Sequence, residues 1–378
     1  MLTDARDGRI DTLRGVSILL VLLHHFNIAY PLQDTLLAGL LGWPLLHAIA
    51  RNGNYGVTMF FVISGYLVTR NALDRWGSLG AVRLAPFYGL RLARIVPTLL
   101  LTLAVVNALA LAGVALFGNR PDAAVSLWTT NLAALTGWMN VLVIREGWLN
   151  YALGVMWSLS VELAFYLLFP LACLLLRRAW MRGALAAALI IAGPLYRLAH
   201  QGGSEAYLYG YLACFDAIAI GGVAAVLARR HPPAFLQRRL VHAAVGIAML
   251  LFYLAWPISA SNVLGASAMA LGTAVLLLRR PATDRPRTGL AQRLLGRCGR
   301  DCYEIYLLHL VVLGLLRTAW PPALTPGDAR LALLCAYLAA SCLIGALVAG
   351  CYSSPANRAL RRVFGVTRAA AVTSGTKA

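Results

Sequence analysis

Arg14 and His25 stand eleven residues apart in the first long apolar run, which reads RGVSILLVLLHH from 14 to 25. At 100° per residue, eleven steps make 1100°, about 20° past three full turns. A helix here therefore carries both side chains on one face, about 16 Å apart along its axis. His24 points elsewhere. An imidazole titrates near neutrality, which suits a general base that takes a proton from an alcohol. Arg14 is too far along a straight helix to touch it and is better suited to an anion at the helix mouth. A histidine within a membrane-length helix is either functional or a hydrogen-bonded interhelix contact, and this stretch alone leaves both readings open.

Other polar side chains interrupt the apolar runs. Ser64-Gly65-Tyr66 closes GVTMFFVISGY, where a small pair allows close helix approach or a kink. Arg91 and Arg94 are i,i+3 neighbours just before Pro97, and serve either to set topology or to hold an anion. Glu162, in MWSLSVELAFY, puts a carboxylate in an apolar helix, where it costs several kcal/mol unless paired. Its partner is either structural or catalytic; Asp216, in CFDAIAIGG, carries the same ambiguity, and His309, in YEIYLLH, is a further polar intrusion. The seven cysteines form no CxxC pair, so they are expected to pack, with no metal site and no bound cofactor. Such a polar interior, with an arginine-rich mouth and a central imidazole, fits either an enzyme that reaches through the membrane or a proton-coupled carrier.

The elements that must position these residues are membrane helices. The chain is 60% hydrophobic, with mean hydropathy +0.72 and only 12% charged residues, which excludes an ordinary soluble domain. Ten segments are long and apolar enough to span: about 15–32, 56–73, 95–117, 151–176, 183–199, 208–228, 241–257, 262–278, 302–319 and 331–352. The fold class is therefore an all-α polytopic integral membrane protein of about ten transmembrane helices. A more polar stretch, 125–144, is the eleventh candidate. If it stays on the outer side, both termini are cytoplasmic, and 27 of the 33 lysines and arginines fall inside with six outside. That partition is what the positive-inside rule demands, so 120–150 is expected to be extracytoplasmic or re-entrant. The same rule explains the formal charge of +19 without nucleic acid. One membrane domain, 1–362, is expected, followed by a disordered cytoplasmic tail, 363–378.

Taken in order, these motifs resemble the integral-membrane acyltransferase-3 family. Arg14 and His25 match its Arg/Lys-x10-His signature. Beside it stand FFVISGYL (60–67), RLARIVP (91–97), WSLSVE (157–162), FDAIAIG (215–221) and YEIYLLH (303–309). The sequence departs from the family pattern at Thr58-Met59, Leu163 and Ser354-Pro355, where an acid is usual. The resemblance implies a bacterial inner-membrane enzyme moving an acyl group, acetyl most commonly, from cytoplasmic acyl-CoA to a hydroxyl of a carbohydrate or glycolipid acceptor. It implies catalytic roles for His25, Arg14 and Glu162. Substrate contacts are implied for Arg91, Arg94, Ser64, Tyr66, Trp157, Asp216 and His309. The rival reading is a secondary transporter or glycan flippase.

Overall fold

The computed structural model describes residues 7–202, 205–230, 232–279 and 289–366, and these are helical almost throughout. The first half comprises α1 (Gly8–Ala29), α2 (Leu36–Leu41), α3 (Trp43–Arg51), α4 (Asn54–Trp76), α5 (Leu84–Leu111), α6 (Leu127–Thr136), α7 (Met139–Glu146) and α8 (Met156–Leu175). The second half comprises α9 (Ala179–Ala199), α10 (Ala206–Tyr209), α11 (Tyr211–Arg229), α12 (Arg239–Ala255), α13 (Ile258–Leu278) and α14 (Leu290–Arg300). It ends with α15 (Cys302–Ala319), α16 (Ala329–Val348) and α17 (Ser354–Val363). Among the described residues no β-strand forms; one isolated bridge joins Asn119 and Asn150.

Nine helical stretches among the described residues are long and apolar enough to cross a bilayer, centred on α1, α4, α5, α8, α9, α11, α13, α15 and α16. The tenth expected span is α12, an apolar helix of 17 residues and so about 25 Å long, at the short end for a crossing. The chain is thus an all-α, multi-pass membrane protein. Its outer helices expose leucine and isoleucine to the surroundings, as at Ile191 and Leu195 of α9, Leu250 of α12 and Leu347 of α16. In water these rows would form a large aggregating surface; in a bilayer they face lipid.

The stretch 125–144 forms no single helix long enough to cross. It folds as α6 and α7, of 10 and 8 residues, each too short to span. Gly137 breaks them apart in the left-handed region at φ 80°, which a side chain would resist, and its carbonyl accepts from Tyr211 Oη at 2.7 Å. The pair packs on α8, where Ser160 Oγ accepts from the Met139 N–H at 2.9 Å.

Close backbone contact sets the centre of the bundle. A Cβ at Gly65 would overlap the Ile218 carbonyl, and one at Gly221 would overlap the Val62 carbonyl, so α4 and α11 touch through their glycines. Gly65 therefore has the packing role expected of it, and FFVISGYL and FDAIAIG are two sides of one crossing. The same device joins α1 to α14, where Gly15 lies on the Leu295 carbonyl and Gly299 on that of Asp11. Helix α17 ends at Val363 and Val366 is buried; the rest of the expected tail, 367–378, lies outside the described residues.

Candidate active site

Helices α1 and α15 run side by side in the same direction and meet twice. Near their starts, the Arg14 side chain hydrogen-bonds Cys302 and lies within electrostatic reach of Asp11 and Glu162. Three turns on, His25 Nδ1 lies 3.3 Å from His309 Nε2, with ring centroids 5.0 Å apart. Arg14 and His25 share one face, as their spacing requires.

Backbone carbonyls fix the tautomers of the pair. A carbonyl oxygen only accepts, so the Nδ1 of each ring carries a proton. His309 Nδ1–H donates to the Tyr306 carbonyl at 2.6 Å, and His25 Nδ1–H donates to the Val21 carbonyl at 3.0 Å. The bare His309 Nε2 takes a share of the His25 proton. His25 Nε2 is left as a free lone pair with no protein partner among the described residues. His24 is different: its Nδ1–H donates to the Ala50 carbonyl at 3.1 Å, and its ring lies against Gly53, where no side chain would fit.

Helix α8 supplies the opposite wall. Ser158, Glu162 and Tyr166 are spaced i, i+4, i+8 on one face. Ser158 Oγ meets Tyr306 Oη at 2.7 Å. Glu162 Oε1 accepts from Ser64 Oγ at 2.5 Å and from Tyr166 Oη. Ser64 and Tyr166 are themselves 3.2 Å apart. The carboxylate thus gains the partners its burial demanded. It does not touch His25. Stepping along α8 from Ser158 and along α15 from Tyr306 puts Glu162 and His309 about 10 Å apart along the bundle. Glu162 stands between the histidines and the arginines, on the Arg14 side.

Arg91 and Arg94 close the row. The Arg91 guanidinium stacks over Tyr166 at 5.1 Å and Phe87 at 5.3 Å, and its Nε is buried without a hydrogen-bond partner. Arg94 lies over Tyr303 at 5.4 Å and pairs with Glu304 at 3.7 Å. Glu304 is fully buried and accepts from Ser353 Oγ at 2.6 Å. Arg94 therefore neutralises an interior carboxylate, whereas Arg91 keeps a donor without a partner.

Three expected site residues lie off this row. Asp216 is buried in an ion pair with Arg197, at 2.7 and 3.1 Å, and also accepts from Ser267 Oγ at 2.6 Å. Arg197 donates further to the Val263 carbonyl at 3.0 Å and to the Ala213 carbonyl. Trp157 packs on Tyr209 at 4.8 Å and shares with Asp216 a cavity of about 20 Å³, room for roughly one water. Tyr66 faces a separate, arginine-lined cavity. What the residue pattern alone did not single out is Trp148, whose ring lies 6.3 Å from His25. It comes from the loop before α8, where no periodic signal points to it.

A family model described as an acyltransferase domain, acyltransferase-3, matches residues 7–350. The chain belongs to the acyltransferase-3 family. Similarity to individual members is modest. The peptidoglycan O-acetyltransferase OatA of Listeria monocytogenes is 28% identical over 178 residues, 46% of this chain and 25% of that protein. A putative O-acetyltransferase of Staphylococcus aureus is 29% identical over 168 residues, 43% of this chain and 24% of that protein. This chain thus spans about a quarter of the length of these two relatives. The putative membrane-bound transacylase BcsY of Komagataeibacter xylinus matches more fully, at 30% identity over 311 residues, 79% of this chain and 71% of that protein. No solved structure matches. Arg14 lies on the arginine side of the polar row and His25 at its other end.

Proposed function

We propose that this acyltransferase moves an acyl group, acetyl in the first instance, from acyl-CoA to a hydroxyl of a carbohydrate or glycolipid acceptor, in the bacterial inner membrane. The observation that carries the reading is the free His25 Nε2 at one end of a continuous polar row whose other end is cationic. Coenzyme A carries several phosphate charges, which suit Arg14 and the uncommitted Arg91, with Arg94 beside them. The acyl-pantetheine arm then lies along Glu162, Ser64 and Tyr306 toward the histidines.

His25 Nε2 takes the proton of the acceptor hydroxyl as its oxygen attacks the thioester carbonyl. The tetrahedral intermediate collapses, the C–S bond breaks, and the proton on Nε2 passes to the departing coenzyme A thiolate. His309 Nε2 accepts from the His25 Nδ1–H throughout and favours the imidazolium formed midway, a positioning role. Acceptor enters from the far end, past Trp148. Glu162, held by Ser64 and Tyr166, contributes from the donor side.

Donor binding provides the test. Arg91→Ala is expected to weaken acyl-CoA binding by about 1.5–3 kcal/mol, roughly 10- to 150-fold, with little loss of stability. Arg94→Ala is expected to weaken binding and also to lower the unfolding temperature, because it strands Glu304 in the interior. Equilibrium binding of labelled acetyl-CoA checks both. Parent-like affinity in Arg91→Ala would move the donor site elsewhere. Mass spectrometry of cell-surface glycans, with and without the gene, identifies acceptor and acyl group together.

The donor side must also face the cytoplasm. A cysteine introduced at position 180, in the first turn of α9, is expected to be shielded from a membrane-impermeant thiol reagent added to intact cells. Labelling there from outside would reverse the orientation and separate the arginines from acyl-CoA.

A further inference from the structure

We propose that the arginine-lined cavity at the N-terminal end of the bundle is a phosphate-binding site, separate from the polar row that leads to His25. The cavity has a volume of about 220 Å³ and lies between the start of α1 and the ends of α4, α11 and α13. Four arginines converge on it from four separate elements: Arg9, Arg70, Arg229 and Arg279. Two carboxylates, Asp7 and Asp74, share the same wall, leaving a surplus of two positive charges. Arginines that only set topology gain nothing by converging, since like charges around one hollow repel.

The carboxylates hold the cavity in a form ready for an anion. Arg9 is tied to Asp7 through its Nε at 3.0 Å and its Nη2 at 2.7 Å. Burial pushes the Asp7 carboxyl up, and Arg9 outweighs that and holds it below its ordinary value. Asp74 is shared, 3.3 Å from Arg229 and 3.7 Å from Arg70, so neither guanidinium is fully satisfied by it. Arg279 offers its carbonyl to Arg9, and its guanidinium has no partner among the described residues. Tyr66 Oη adds a polar group bonded to Arg70 on the inner wall. Planar guanidinium forks around a hollow of this size suit the oxygens of a phosphate or phosphomonoester. The phosphate can arrive free in solution or as the headgroup of an acidic lipid. Because Arg70, Arg229 and Arg279 have no part in the donor row, the inference stands apart from the proposed acyl transfer.

The test uses the whole purified protein in nanodiscs of phosphatidylcholine. In one arm, labelled inorganic phosphate is titrated by equilibrium binding. In the other, phosphatidic acid retained by the protein is measured against phosphatidylcholine by native mass spectrometry. Arg229→Gln is expected to weaken binding roughly tenfold or more, and added salt to weaken it further. Asp74→Asn removes the competing carboxylate and is expected to tighten binding several-fold, a gain that misfolding does not imitate. Saturable phosphate binding with both responses supports the site with a soluble ligand; the same responses in the lipid arm alone support a headgroup. Absence of binding in both arms, or binding that neither variant changes, overturns the proposal.

Discussion

His25→Ala is expected to lower acyl transfer by about 10²–10⁴-fold while the protein still inserts and binds acyl-CoA. The size follows from losing the base outright, since no other imidazole presents a free nitrogen at that point. His309 cannot substitute, because its Nδ1 proton is committed to the Tyr306 carbonyl and its Nε2 faces His25. His24→Ala is expected to be much milder in rate, because that ring bonds the Ala50 carbonyl on another face of α1. His309→Ala falls between the two: it removes one acceptor of the His25 proton but leaves the Val21 carbonyl in place. Transfer rates on protein of matched helix content and acyl-CoA occupancy separate these cases. Equal losses at positions 24 and 25 would reduce the pair to helix packing. Arg14→Ala is expected to act through donor placement, so raising acyl-CoA should recover part of its loss.

Asp216→Ala is expected to destabilise the protein by about 3–5 kcal/mol. It would leave Arg197, one of the largest fully buried side chains, without its counter-charge. Two carbonyls and Ser267 still accept from the guanidinium, but they do not neutralise it. Asp216→Asn should cost less, since it keeps hydrogen-bonding atoms in place. Thermal unfolding in detergent measures both, and an unchanged midpoint in Asp216→Ala would show that the pair carries no structural burden. Catalysis by the surviving folded fraction is expected to stay near the parent level, because the ion pair lies off the row that leads to His25.

The contrast between Asp216 and Glu162 shows what was legible in the sequence. Both are single carboxylates in apolar runs, and either reading fitted either residue. Only the third dimension separates them: Asp216 finds an arginine nineteen positions away, while Glu162 finds two hydroxyls and opens on the Arg14 side. The helical runs and the polar character of 125–144 were readable because periodicity, length and composition all act locally, whereas its break into two short helices at Gly137 was not. The shared face of Arg14 and His25 followed from 100° per residue. The meeting of His25 with His309 did not, since no local rule joins residues 284 positions apart. The distance between Glu162 and the imidazoles was equally hidden: it follows from the opposite directions of α8 and α15, which put Ser158 and Tyr306 between them. Tyr66 and Ser64 are neighbours in one motif, yet the turn of α4 sends Ser64 to Glu162 and Tyr66 to the arginine-lined cavity.

The central claim, that acyl-CoA is consumed in transfer to a hydroxyl, is tested most directly by following both products at once. Purified protein in nanodiscs is given acetyl-CoA labelled in the acetyl group together with a glycan acceptor extract. Free coenzyme A thiol and label on the acceptor are then measured over time. The expected result is release of thiol in step with label on acceptor oxygen, lost in His25→Ala while acetyl-CoA remains bound. Movement of acceptor across the bilayer with no thiol released would contradict the account and make this chain a carrier.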